Sequence, residues 1–125
     1  MRLVAAAGAV ATVGAALALR AVAAGDLAKY GGDALYTVLL AALVVLVAPR
    51  ATPTKAATCA LALSWAVEFL QLTAVPAELS RRSTLARLAL GSTFNAPDLF
   101  WYVVGAASAW AAHTGLLRIR ARHRT

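Results

Sequence analysis

Four long apolar stretches, separated by short charged or proline-containing segments, constrain this chain more than any other feature. They cover approximately residues 3–22, 31–48, 56–73 and 97–117. Each approaches the length of about 20 residues that a helix needs to cross a bilayer. The composition, 62% hydrophobic and 14% charged, lies above the roughly 45–50% apolar content of soluble domains. We therefore predict an all-α fold: a bundle of four transmembrane helices forming one integral membrane domain over residues 1–125.

The remaining segments are assigned by their flanking signals. The first stretch resembles a secretory signal sequence, but Arg20 lies where a cleavage region would be neutral, so we expect it to remain as a span. Residues 77–91 carry several Arg residues and a weak apolar face, which predicts a short interfacial helix between spans three and four. Residues 118–125 form a basic tail.

The distribution of basic residues predicts the orientation. With four spans, seven Lys and Arg residues lie on the side of the termini and five on the opposite side. The positive-inside rule then places both termini in the cytoplasm of a multi-pass inner-membrane protein. Because ten of the twelve basic residues are Arg residues that flank apolar stretches, we read them as membrane anchors and expect no nucleic-acid partner. The single Cys59 excludes an intramolecular disulfide, and we predict no metal and no cofactor.

Several polar residues occur inside the apolar stretches, where a charge costs roughly 2.5–3.5 kcal/mol. Glu68 is the clearest case, and Ser64 and Gln71 share its helical face at i−4 and i+3. In the fourth span, Asp98 shares a face with Tyr102 and Gly105. In the second span, Asp33 is followed one turn later by Tyr36 and Thr37.

Alternation of the spans predicts that these acidic residues meet. Span two begins on the side where span three ends and span four begins, so Asp33, Glu68 and Asp98 lie near one membrane face, the outer one in the favoured orientation. Arg87 is the expected counter-charge. We interpret the group as a binding site for a lipid headgroup, a cell-envelope lipid precursor or an amphiphilic drug. Its predicted members are Asp33, Glu68, Gln71, Arg87, Asp98 and Tyr102.

Two other hypotheses remain open. The polar group is purely structural in an assembly or accessory subunit, since polar side chains hold helices together in lipid. Alternatively, its carboxyl groups act as acid and base in a hydrolase of lipid-linked substrates, although no catalytic residue is assigned. Membrane lipids are expected partners in every case. Small-residue helix faces such as Gly105 and Ala109 also allow oligomerisation.

Three motifs resemble a bacterial membrane family known as the domain of unknown function 2809. They are Gly32-Asp33, the Glu68-Phe69-Leu70-Gln71 segment, and the Leu90-to-Leu99 segment with Tyr102 and Gly105. A more distant resemblance is to VanZ-like proteins, which also carry Glu-x-x-Gln followed by an Asp. Here Tyr102 stands where they have Asn, and no Arg stands immediately before Phe94. That resemblance implies a role at the cell envelope, because VanZ is associated with tolerance of a glycopeptide antibiotic.

Overall fold

Four long α-helices account for nearly all of the residues that the structure describes. A computed structural model describes residues 2–23, 25–71, 81–84 and 96–124. The helices are α1 (Arg2–Val22), α2 (Gly25–Val47), α3 (Pro53–Leu70) and α4 (Ala96–Arg124). Within the described ranges the chain forms no β-strand. The predicted all-α class is therefore confirmed.

Local sequence signals set the helix ends. Gly25, the first residue of α2, has a φ of 66°, a backbone conformation that suits glycine. The start of α3 is capped by Thr52, whose hydroxyl accepts a 3.2 Å hydrogen bond from the Lys55 backbone N–H. Pro53 occupies the first turn, where the missing N–H is not needed. These devices fix where consecutive helices reverse direction.

Helix α2 is the central element of the bundle. It packs against α1, α3 and α4, and α3 also packs against α4. Most buried apolar side chains are alanines, among them Ala41, Ala56 and Ala60. Small side chains let helix backbones approach closely, which is the packing found between helices in membranes.

The outer surface of the bundle is apolar. Large apolar side chains such as Leu3 and Val10 are 87% and 74% exposed. Two helical segments, Arg2–Val22 and Ala28–Val47, are long and apolar enough to cross a membrane by length and composition. These features fit a membrane protein, whereas crossing by all four helices stays a prediction.

Helices α2 and α4 extend beyond the predicted spans. Helix α2 begins at Gly25 rather than at residue 31, and α4 continues to Arg124, so most of the predicted basic tail is a helical continuation of α4. Hydropathy marks residues suited to hydrocarbon, whereas Lys and Arg are good helix formers that prolong a helix into water. Of the predicted interfacial segment 77–91, only 81–84 is described, and Arg87 lies outside the described residues.

Candidate functional site

Three carboxyl side chains from three helices meet at one end of the bundle. Asp33 lies in the first half of α2, Glu68 near the end of α3, and Asp98 in the first turn of α4. Asp33 interacts electrostatically with both Asp98 and Glu68. We call these three residues the acidic cluster. Because α3 runs towards this end while α2 and α4 start near it, the chain direction alone brings the cluster to one level.

Glu68 is fully enclosed by protein. Its side chain has no exposed surface, and Oε2 accepts a 2.9 Å hydrogen bond from the Tyr102 hydroxyl. Tyr102 is itself only 5% exposed, and its ring lies 6.2 Å from that of Tyr36 in a tilted arrangement. A buried carboxyl group requires such a donor, since burial without one is costly. The aromatic pair therefore positions the donor over Glu68.

Asp33 and Asp98 form a carboxyl–carboxyl contact. Their side chains lie within hydrogen-bonding reach of each other. Asp33 Oδ2 and Asp98 Oδ1 are both buried, and neither accepts a bond from a donor among the residues that the structure describes. Two ionised carboxylates can only accept hydrogen bonds, so a bond between them requires one proton. The two carboxyl groups can thus share a proton. Alternatively, a hydrogen-bond donor from outside the described residues can take the place of that proton.

Lys29 provides positive charge near this end. It lies about one helical turn before Asp33 in α2 and acts on that carboxyl group as an opposite charge. Its ammonium group is also 6.0 Å from the centre of the Tyr30 ring. Lys29 was absent from the predicted site, although its i−4 spacing to Asp33 is a signal that sequence reasoning can use.

A hydroxyl pair lies next to the acidic cluster. The hydroxyl oxygens of Thr37 and Ser64 are 2.8 Å apart across α2 and α3, and both side chains are completely buried. Ser64 also bonds the Ala60 carbonyl oxygen at 2.9 Å. Neither residue was in the predicted site. Their spacing, four residues after Asp33 and four before Glu68, places them on the same helix faces.

Close backbone packing holds α2 against α4 in this region. A Cβ atom at Gly105 would overlap the backbone carbonyl oxygen of Ala34, the residue after Asp33. Tyr30 and Trp101 stack with ring centres 5.5 Å apart, which adds a second contact between the same helices. The side chain of Trp65 in α3 donates a 3.1 Å hydrogen bond to the Leu99 carbonyl oxygen in α4. The site is therefore built on packed helices.

The structure brings together four of the six predicted site residues. They are Asp33, Glu68, Asp98 and Tyr102. Gln71 is the C-cap of α3, where its backbone N–H bonds carbonyl groups of the last turn, including that of Glu68. In the part of the chain that the structure describes, no three His, Cys, Asp or Glu side chains are arranged to hold a metal ion.

Comparison with known proteins identifies a family and no activity. No curated protein and no solved structure matched the chain. One family matched, over residues 22–106, which include the whole acidic cluster, Tyr102 and Gly105. The match starts at the last residue of α1, so the family pattern is carried by the helices that form the site. The chain belongs to the family described as Protein of unknown function (DUF2809).

Proposed function

We propose that this protein crosses the bacterial inner membrane four times, with both termini in the cytoplasm, and binds an ammonium-bearing headgroup at its outer face. The two apolar helices and the exposed apolar surface support a place in lipid. The excess of basic residues at the end with the termini supports the orientation. The resemblance to VanZ-like proteins favours a role at the cell envelope.

One observation carries the choice of ligand. Asp33 and Asp98 present two buried carboxyl oxygens that have no donor among the described residues, beside a third buried carboxyl group, that of Glu68. A primary ammonium group offers three N–H donors and a positive charge. Such a group satisfies the hydrogen-bonding capacity of these carboxyl oxygens and balances the negative charge of the acidic cluster. Tyr102 and Gln71 border the site in this proposal, and Arg87 remains the proposed counter-charge.

The same chemistry occurs in an amine-bearing phospholipid or envelope precursor and in a cationic amphiphilic drug. A reconstitution experiment distinguishes these sources. The purified chain is placed in nanodiscs that contain trace fluorescent phosphatidylethanolamine or phosphatidylcholine with identical acyl chains. Energy transfer from the protein tryptophans reports occupancy. We expect phosphatidylethanolamine to be preferred, because the trimethylammonium group of phosphatidylcholine has no N–H donor. Competition by dodecylamine tests the drug-like source.

Charge-neutral variants locate the site. Asp33→Asn and Asp98→Asn are expected to abolish the preference for phosphatidylethanolamine, whereas Arg50→Gln, in the loop at the opposite end, leaves it unchanged. Equal binding of the two lipids by the unmodified protein, or a preference that survives both Asp substitutions, contradicts the proposal. The readout is a preference between two lipids, so it requires only that each variant folds.

A structural role is the second candidate, and the internal pairing of the cluster favours it. Glu68 already has a donor in Tyr102, and Thr37 is paired with Ser64. Such bonds hold helices together in an accessory subunit without a ligand. In that case Asp98→Asn alters the unfolding free energy but not lipid preference, and crosslinking in membranes recovers a stable protein partner.

A further inference from the structure

The end of the bundle opposite the acidic cluster contains an apolar cavity. Its volume is about 140 Å³, and side chains of all four helices line it. Small apolar residues such as Gly8, Ala41 and Ala57 dominate the lining, which also includes Thr12 and His113. Apolar cavities of similar size, about 150 Å³, stay dry and take up apolar molecules. In a membrane, the apolar group available to fill it is hydrocarbon.

A more polar groove lies beside the cavity. It is formed by the start of α3 and the second half of α4 and includes Thr54, Thr114 and Arg118. The Thr114 hydroxyl oxygen is buried and has no hydrogen-bond partner among the described residues. Pro53 lines both the groove and the cavity, so the two are adjacent. One molecule with a polar head and an apolar chain can occupy both.

Charge is unequally distributed between the two ends of the bundle. The described residues at this end, Arg2, 48–55 and 118–124, include seven Lys and Arg residues and no Asp or Glu. The acidic cluster lies at the other end. The groove therefore lies in a positively charged region, and α3 also begins there with the positive end of its dipole. This charge is complementary to a phosphate group.

We propose that this end of the bundle binds one anionic phospholipid, with an acyl chain in the cavity and the phosphate in the groove against Arg118, Thr114 and Thr54. Arginine and hydroxyl donors suit phosphate oxygens. The inference rests on the proposed membrane location but not on the proposed ammonium site, which lies at the other end and uses different residues. Basic pockets between helices on the cytoplasmic side are known lipid-headgroup sites.

Native mass spectrometry of the detergent-purified full chain tests the headgroup contact. The probes are phosphatidylglycerol and phosphatidylcholine with the same acyl chains. We expect one phosphatidylglycerol to remain bound at concentrations where phosphatidylcholine does not. Arg118→Gln is expected to weaken phosphatidylglycerol binding about fivefold, which corresponds to the loss of one basic residue near a headgroup. The matched control is Arg120→Gln, which removes the same charge from the same helix outside the groove.

A pair of glycine substitutions in α1 tests the cavity. An added Cβ meets no atom within 4 Å at either Gly8 or Gly14, but only Gly8 lines the cavity. Gly8→Leu is expected to abolish the bound phosphatidylglycerol, and Gly14→Leu to retain it. Equal binding of both lipids, equal effects of the two Arg substitutions, or lipid retention by Gly8→Leu overturns the proposal. Loss of phosphatidylethanolamine preference at the outer site does not affect any of these measurements.

Discussion

Tyr102 of α4 donates a 2.9 Å hydrogen bond to Glu68 Oε2 of α3, and both side chains are almost completely removed from solvent. The bond joins helices that are separated in the chain by the segment between residues 71 and 96. It links a residue of the acidic cluster to an aromatic side chain that also contacts Tyr36 of α2. One phenol group thus connects three helices.

Removing this phenol hydroxyl is expected to destabilise the bundle. Tyr102→Phe keeps the ring packed against Tyr36 but takes a donor from buried Glu68, at a cost of about 1–3 kcal/mol. The measurement is the unfolding free energy in mixed micelles titrated with sodium dodecyl sulfate. Glu68→Gln and the double variant complete a double-mutant cycle. Strict additivity of the two single costs contradicts the bond.

The hydroxyl pair between α2 and α3 predicts a smaller effect. Thr37→Val removes the 2.8 Å contact with Ser64, which keeps its bond to the Ala60 carbonyl oxygen. We expect a loss of about 0.6 to 1.7 kcal/mol, from the average to the largest value found for hydrogen bonds between membrane helices. Thr12→Val is the control, because the Thr12 hydroxyl bonds Gly8 within its own helix. Equal losses in the two variants would show that the interhelical bond contributes nothing.

Close packing between α2 and α4 predicts different outcomes for two glycines of the same helix. Gly105→Ala places a methyl group against the Ala34 carbonyl oxygen, and such overpacking costs about 1–3 kcal/mol. Gly115→Ala meets no atom within 4 Å and should stabilise the helix by about 0.5–1 kcal/mol. The thermal unfolding midpoints of both purified variants, measured by circular dichroism, test these two expectations. A neutral Gly105→Ala contradicts the described contact.

The proposed orientation is tested with single cysteines. In a Cys59→Ala background, Ala51→Cys places a thiol in the loop between α2 and α3, and Ala23→Cys places one between α1 and α2. A membrane-impermeant maleimide applied to intact spheroplasts should label only Ala23→Cys, and both after permeabilisation. Labelling of Ala51→Cys in intact spheroplasts reverses the orientation. Labelling of both thiols before permeabilisation contradicts an odd number of crossings between them.

The sequence predicts well that the chain is helical and at which end of the bundle each acidic residue lies. The first follows from hydropathy and the second from chain direction. The meeting of Asp33, Glu68 and Asp98 needs only that successive apolar helices alternate in direction. In contrast, the bonds from Trp65 to Leu99 and from Trp110 to Thr54 depend on how each helix is rotated about its axis. The rotation of each helix is set by the packing of mainly small residues. These residues show no clear periodic pattern in the sequence.

Helix ends and hydroxyl contacts also separate what the sequence predicts from what depends on packing. Asp26 and Lys29 look like loop residues in a hydropathy profile, yet α2 already includes them, because the helix begins at Gly25 with a positive φ. Thr37 and Ser64 could be placed on the correct faces by their i+4 spacing. Their direct bond required knowledge of the distance between α2 and α3, which depends on alanines such as Ala60.

The unequal apolarity of the helices has a consequence for biogenesis. Among the described helices, only Arg2–Val22 and Ala28–Val47 are long and apolar enough to cross a membrane by length and composition, and both are synthesised before α3 and α4. If the chain crosses four times, α1 and α2 enter the bilayer before α3 and α4, and Asp33 and Thr37 of α2 are then available to the helices that follow. Helices α3 and α4, which carry Glu68 and Asp98, then insert next to polar side chains that are already in place. The order of synthesis thereby contributes to folding.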